Sequence, residues 1–95
     1  MRKLNSLLKL AAISGVEVAL RLHISRGDDL DARDGSGATP LILASARRRK
    51  GAVRLLLEAG ANPSLSDDKG MDALAHATKS GCPETISILT TALES

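Results

Sequence analysis

The sequence predicts an all-α solenoid: three helix-turn-helix units stacked side by side, with finger loops connecting them. Three observations lead there. Apolar residues recur at a period of 33, with Leu8, Leu41 and Leu74 in one phase, Ala11, Ala44 and Ala77 in another, and Leu22, Leu55 and Ile88 in a third. Self-similarity at that spacing is the mark of stacked units, each burying its apolar face only against its neighbours. Turn residues repeat as well: Asp34 and Gly37 return as Asp67 and Gly70, and Gly27 returns as Gly60. The chain also has no Phe, Tyr or Trp, so its core must be built from Leu, Ile, Val and Ala, which suits closely packed helix pairs.

The period divides residues 1–95 into one domain of three units, 1–33, 34–66 and 67–95. In the first unit a helix is expected from Lys3 to Ser14, with Leu4, Leu7, Leu8, Ala11 and Ala12 inward and Arg2, Lys3, Asn5, Ser6 and Lys9 turned to water. An end unit has no neighbour on its outer side, which predicts a polar outer face there. Gly15 turns the chain into a second helix from Val16 to Ile24.

The middle unit is the fullest. Thr39 caps a helix through its hydroxyl, and Pro40 occupies the first helical position, where a missing N–H costs nothing. Leu41 and Ala44 form a narrow apolar face, and Val53, Leu56 and Leu57 supply the apolar side of the second helix. Gly60 ends that helix in a left-handed conformation. Where the outer units turn on Gly15 and Gly81, this one has Arg48, so Arg48 is expected at positive φ at a cost of about 1 kcal/mol. In the third unit Asp72 replaces the capping threonine, Pro83 opens the last helix, and Ser87, Thr90, Thr91 and Glu94 lie between Ile86, Ile88, Leu89 and Leu93. That polar stripe predicts a closing unit.

Asp34, Gly37, Thr39, Pro40, Leu41, Ala44, the run Leu55 to Leu57, and Gly60, Ala61 and Asn62 together resemble the ankyrin repeat. Ser6 and Leu7 stand where the family has Thr-Pro in the first unit, and Asp72 and Ala73 do so in the third. The resemblance implies an ankyrin-repeat solenoid whose end units act as caps.

Composition narrows the function. A net charge of +2 does not imply a polyanion partner, and the lack of aromatic rings weakens both single-strand nucleic-acid binding and large hot spots. The lone Cys82 excludes an internal disulfide and fits a reducing, cytoplasmic setting. Asn5, Ser6 and Lys9 interrupt the N-terminal apolar stretch, against a secretory leader, and no apolar run is long enough to span a bilayer.

No constellation for catalysis, cofactor or metal is expected. His23 and His76 lie in different units on differently oriented helices and read as surface or interface residues. Cys82 and His76 give at most two ligands where structural zinc takes four. The glycine-rich Asp34 to Gly37 segment lacks the lysine of a phosphate loop, and Asp28, Asp29, Asp31 and Asp34 lack calcium-loop spacing. These aspartates read as turn and capping groups. Arg26, Gly27 and Asp28 spell an adhesion tripeptide, yet Gly27 is the unit's helix-ending glycine.

Charge is distributed unevenly. Asp28, Asp29, Asp31, Asp34, Asp67 and Asp68 gather at the finger end, while Arg47, Arg48, Arg49, Lys50 and Lys79 gather at the opposite turns. The basic run reads first as a solvated turn and second as a docking patch. The resemblance implies a protein-protein interaction module that uses variable residues of the fingers and the adjoining concave face of the first helices. By position these are Ile13 and Ser14; Arg33, Gly35, Ser36, Ala38, Ala46 and Arg47; and Ser66, Asp68, Lys69, Met71, Lys79 and Ser80. The expected partner is another protein, or another domain of the same polypeptide, with no membrane contact, and the chain is expected to be monomeric in isolation. The alternative is a regulatory or targeting domain of a larger protein, with weak nucleic-acid contact through Arg47 to Lys50.

Overall fold

The structure, a computed structural model, describes residues 3–94. Among these residues six helices form three pairs: α1 (Ser6–Ser14) with α2 (Glu17–Ser25), α3 (Pro40–Ala46) with α4 (Lys50–Glu58), and α5 (Ala73–Ser80) with α6 (Pro83–Glu94). The first helices form one row, α1 on α3 on α5, and the second helices form the other, α2 on α4 on α6. Among the described residues there are no strands, only isolated bridges between Lys3 and Arg33 and between Ser66 and Asp72. The chain is an all-α helical solenoid, as its period predicts.

Local chemistry sets the helix ends. Thr39 Oγ1 accepts from the Ile42 amide at 3.3 Å with Pro40 in the first turn, and Asp72 caps α5 by accepting from the Ala75 amide at 2.8 Å. Asn5 caps α1 in the same way, accepting from the Leu7 amide at 2.8 Å. The expected start at Lys3 is therefore corrected to Ser6. The reason is tertiary: the Leu4 amide donates to the Arg33 carbonyl at 2.9 Å, which holds Lys3 and Leu4 extended. The second helix begins at Glu17, with Val16 as its cap residue. The exposure expected for Arg2 lies outside the described residues.

Arg48 has φ +60°, matching Gly15 at +69° and Gly81 at +73° in the other two turns. The period dictates one turn geometry, and the middle unit adopts it with a side chain that disfavours it.

The core runs through the middle pair. Leu41, Ile42, Val53 and Leu56 are sealed between the flanking pairs, which contribute Leu8, Leu20, Ala77 and Leu89. Two expectations for the first unit fail. Leu7 is 65% exposed, because adjacent helical residues diverge by about 100° and Leu8 takes the inward position. The outer face is also apolar rather than polar, carrying Leu7, Leu10, Val16, Val18 and Leu22.

Candidate functional site

The fingers are built on two aspartates one period apart. Asp34 Oδ1 accepts from the Ser36 amide at 2.9 Å, the Ser36 hydroxyl at 2.8 Å and the Ala38 amide at 2.9 Å, while Oδ2 pairs with Lys9 Nζ at 3.1 Å. Asp67 Oδ1 accepts from the Lys69 amide at 2.9 Å and the Met71 amide at 3.0 Å, and its Oδ2 meets His76 Nε2 at 2.8 Å. Burial alone would raise the Asp34 pKa, but the donors from Ala38, Ser36 and Lys9 outweigh it and bring it down to about 2. Asp67 is likewise lowered, chiefly by His76 and then by the Met71 amide.

Adjacent fingers are locked to each other. The Arg33 guanidinium donates to the carbonyls of Gly37 and Ser66, and the Asp68 amide donates to the Ser36 carbonyl at 3.0 Å. Gly37 sits at φ +80°, and a Cβ there would lie 2.4 Å from Asp68 Oδ1. Only glycine allows both the turn and that approach. Asp31 Oδ1 ties the next connection by accepting from the Asn62 amide at 2.9 Å.

This frame sorts the expected contact residues. Gly35, Ser36, Asp68 and Lys69 are exposed on neighbouring finger tips, and Ser14, Arg47 and Lys79 are exposed at the far ends of the first helices. Ile13, Ala46, Ser66, Met71 and Ser80 are half-buried beside them. Ala38 is closed over by its neighbours, and Arg33, half-buried, donates through Nη1 to two carbonyls, so both hold the frame beneath the tips.

The basic run divides the same way. Arg49 Nε donates to the Ile13 carbonyl at 2.9 Å and lays its stem over Gly15, which fastens the middle turn to the first. Lys50 Nζ reaches Glu84 Oε2 at 3.0 Å, fastening it to the third and lowering the Glu84 pKa. All four residues of the run remain exposed, Arg47 and Arg48 included. Part of what reads as a docking patch is stitching between units.

Sequence reasoning missed the partners of both histidines. His23 is buried with Nδ1 2.6 Å from Asp28 Oδ2, and His76 is bound to Asp67. The signal for the first was present: Gly27, at φ +77°, reverses the chain after α2, which brings a carboxylate five residues on back to the last helical turn. The same contact occupies Asp28 of the adhesion tripeptide. Cys82 is buried, and its thiol sulfur accepts from Thr85 Oγ1 at 3.2 Å, the main cause of its lowered pKa. Among the described residues no cluster of three or more His, Cys, Asp or Glu could hold a metal ion, and no helix is long and apolar enough to cross a membrane.

A profile of ankyrin repeats, in three copies, matches residues 8–94. The chain belongs to the ankyrin-repeat family. It is 38% identical over 76 residues to a putative ankyrin repeat-containing protein of Treponema pallidum, covering 80% of this chain and 25% of that protein. It is also 38% identical over 76 residues to ADP-ribosylation factor GTPase-activating protein AGD4 of Arabidopsis thaliana, covering 80% of this chain and 10% of the relative. With ankyrin repeat and SOCS box protein 16 of Mus musculus the identity is 35% over 83 residues, covering 79% and 18%. The chain thus spans between a tenth and a quarter of the length of these curated relatives. Ankyrin repeats are generally protein-protein interaction modules, and the family is typically non-enzymatic.

Proposed function

We propose that this ankyrin-repeat chain binds a partner protein through its finger tips and the adjoining concave face of α1, α3 and α5. The observation that carries this reading is the pair of neighbouring tips, Gly35 with Ser36 and Asp68 with Lys69. These tips are exposed while the backbone beneath them is fixed by Arg33, Asp34 and Asp67. A surface held rigid before contact loses little entropy on binding. Ile13, Ser14, Ala46, Arg47, Ser66, Met71, Lys79 and Ser80 extend it along the first helices. With small and charged side chains and no aromatic anchor, affinity is modest and specificity comes from the local charge mosaic. The reading includes no reaction, and a cytoplasmic setting in which the single buried thiol of Cys82 stays reduced.

Affinity capture with the chain as bait, followed by mass spectrometry, tests it. A specific protein should be retained by wild type and by Ser87→Glu on the outer row, and lost with Lys69→Glu or Arg47→Glu at unchanged helicity. Retention of the same proteins by every variant would refute the finger-side surface.

The coverage of the relatives favours a second reading, a regulatory or targeting domain within a larger polypeptide. In that case an antibody to this chain detects a native protein well above 9.9 kDa. Any nucleic-acid contact through Arg47 to Lys50 would then be electrostatic, and anisotropy of labelled duplex DNA would show it vanishing on modest added salt.

A further inference from the structure

The described residues contain five large hydrophobic side chains that are markedly exposed: Leu7 at 65%, Leu10 at 61%, Val16 at 48%, Val18 at 80% and Leu22 at 57%. All belong to the first helix pair and its turn. Leu7, Leu10 and Val16 line one shallow cleft of about 310 Å³, floored by Ala11, Ala19 and His23. Val18 and Leu22, one turn apart on α2, continue it along the neighbouring stripe of the helix. The largest apolar patch on a monomer is often a functional surface.

The period identifies what kind of surface this is. Leu7 corresponds to Pro40 and Ala73, and Leu22 to Leu55 and Ile88. Pro40, Ala73 and Leu55 are buried, and Ile88 is partly buried, each in a pair that has another packed on its preceding side. The exposed face is therefore the continuation of an interface used twice inside the molecule, with a shape suited to another helical pair. The far end does not match it. Ser45 and Leu57 of the middle pair recur there as Thr78 and Thr90, both exposed, beside exposed Lys79. Head-to-tail stacking would set aliphatic carbon against hydroxyls and a cation and would grow without closing. The cleft itself has no Lys, Arg, Asp or Glu in its lining, so its apolar centre can close on a second copy without like-charge repulsion, and exposed Glu17 and Arg21 beside Val18 and Leu22 are opposite in sign.

We infer that this face is the contact of a twofold homodimer in which the first helix pair of each copy covers that of the other. Covering it buries on the order of 1,000 Å² in total, the small end for specific contacts, so association is weak and concentration-dependent. The surface is separate from the finger tips and adjoins the concave face at Ser14, which lines the same cleft.

Sedimentation equilibrium of the full chain tests it, with circular dichroism to verify folding of each variant. The expected wild-type mass rises with concentration to a plateau at twice 9.9 kDa. Leu10→Lys and, separately, Val18→Glu should stay at the monomer mass over the same range, while Thr90→Lys at the opposite end should dimerise like wild type. A wild type that stays monomeric throughout overturns the inference, and would leave the face to a preceding helix pair of a longer polypeptide. Growth without a plateau that Thr90→Lys abolishes overturns it in favour of head-to-tail stacking. Doubling that survives both face substitutions overturns it as well.

Discussion

The first and middle helix pairs share one register and differ in what lies beside them. Leu55 is buried where Leu22 is 57% exposed, and Leu43 is half-buried where Leu10 is 61% exposed. At a third position the middle pair has Leu56, sealed on all sides, and the first has His23, which reaches the same burial only with Asp28 beside its ring. Similar side chains at equivalent places therefore contribute very different amounts to stability. In a solenoid burial is a property of neighbours, and the middle pair has two of them.

The contrast is tested most severely by Leu56→Ala, expected to cost about 2–5 kcal/mol by urea unfolding, against less than about 0.5 kcal/mol for Leu22→Ala. Equal losses at the two sites would contradict it. Next comes Asp28→Ala, which leaves the buried His23 ring without its acceptor and should cost about 1–3 kcal/mol, whereas removal of exposed Asp29 should be near neutral in the same assay. A smaller effect of opposite sign is expected from Arg48→Gly. Relieving the left-handed strain should raise stability by about 1 kcal/mol and shift the melting temperature upward. An unchanged or lower melting temperature would mean that contacts of the Arg48 side chain outweigh the strain.

The last prediction has no effect at neutral pH. Asp34 and Asp67 have lowered pKa values in the folded chain, so both are charged there at acidities that protonate them in the unfolded chain. Folded protein binds fewer protons, so their stabilisation is complete above the ordinary carboxylate range near 4 and is lost as pH falls toward the folded value of about 2 for Asp34. Urea midpoints measured from pH 7 to pH 2 should be flat with respect to these groups until about 4, then fall. Asp34→Asn should make that descent shallower between the first and middle pairs, and a descent of unchanged steepness would count against the role of the finger carboxylates.

Much of the fold was readable in advance because its signals act over a few residues. Thr39 with Pro40, Asp72, and the glycines at 15, 60 and 81 each answer a local demand for a cap or a left-handed residue, and the period carried that demand to Arg48 correctly. The candidate site was less readable. Arg33 and Ala38 have the positions of contact residues, yet Arg33 Nη1 bridges the carbonyls of its own finger and the next, and Ala38 is closed over. Arg49 and Lys50 look like half of a basic patch but fasten one turn to the next. For Arg33, Arg49 and Lys50 the answer depends on atoms more than 30 residues distant along the chain.

By itself the sequence determined the period, the capped starts of α3 and α5 and the handedness of each turn, since hydrogen-bonding capacity and steric limits of the backbone are settled within a turn or two of the residue concerned. Only the tertiary structure decided that Leu8 rather than Leu7 faces the core, that Arg33, Arg49 and Lys50 fasten one unit to the next, and that the first pair is left with an apolar flank. Those outcomes follow from which surface stands opposite, and no local pattern of residues contains that.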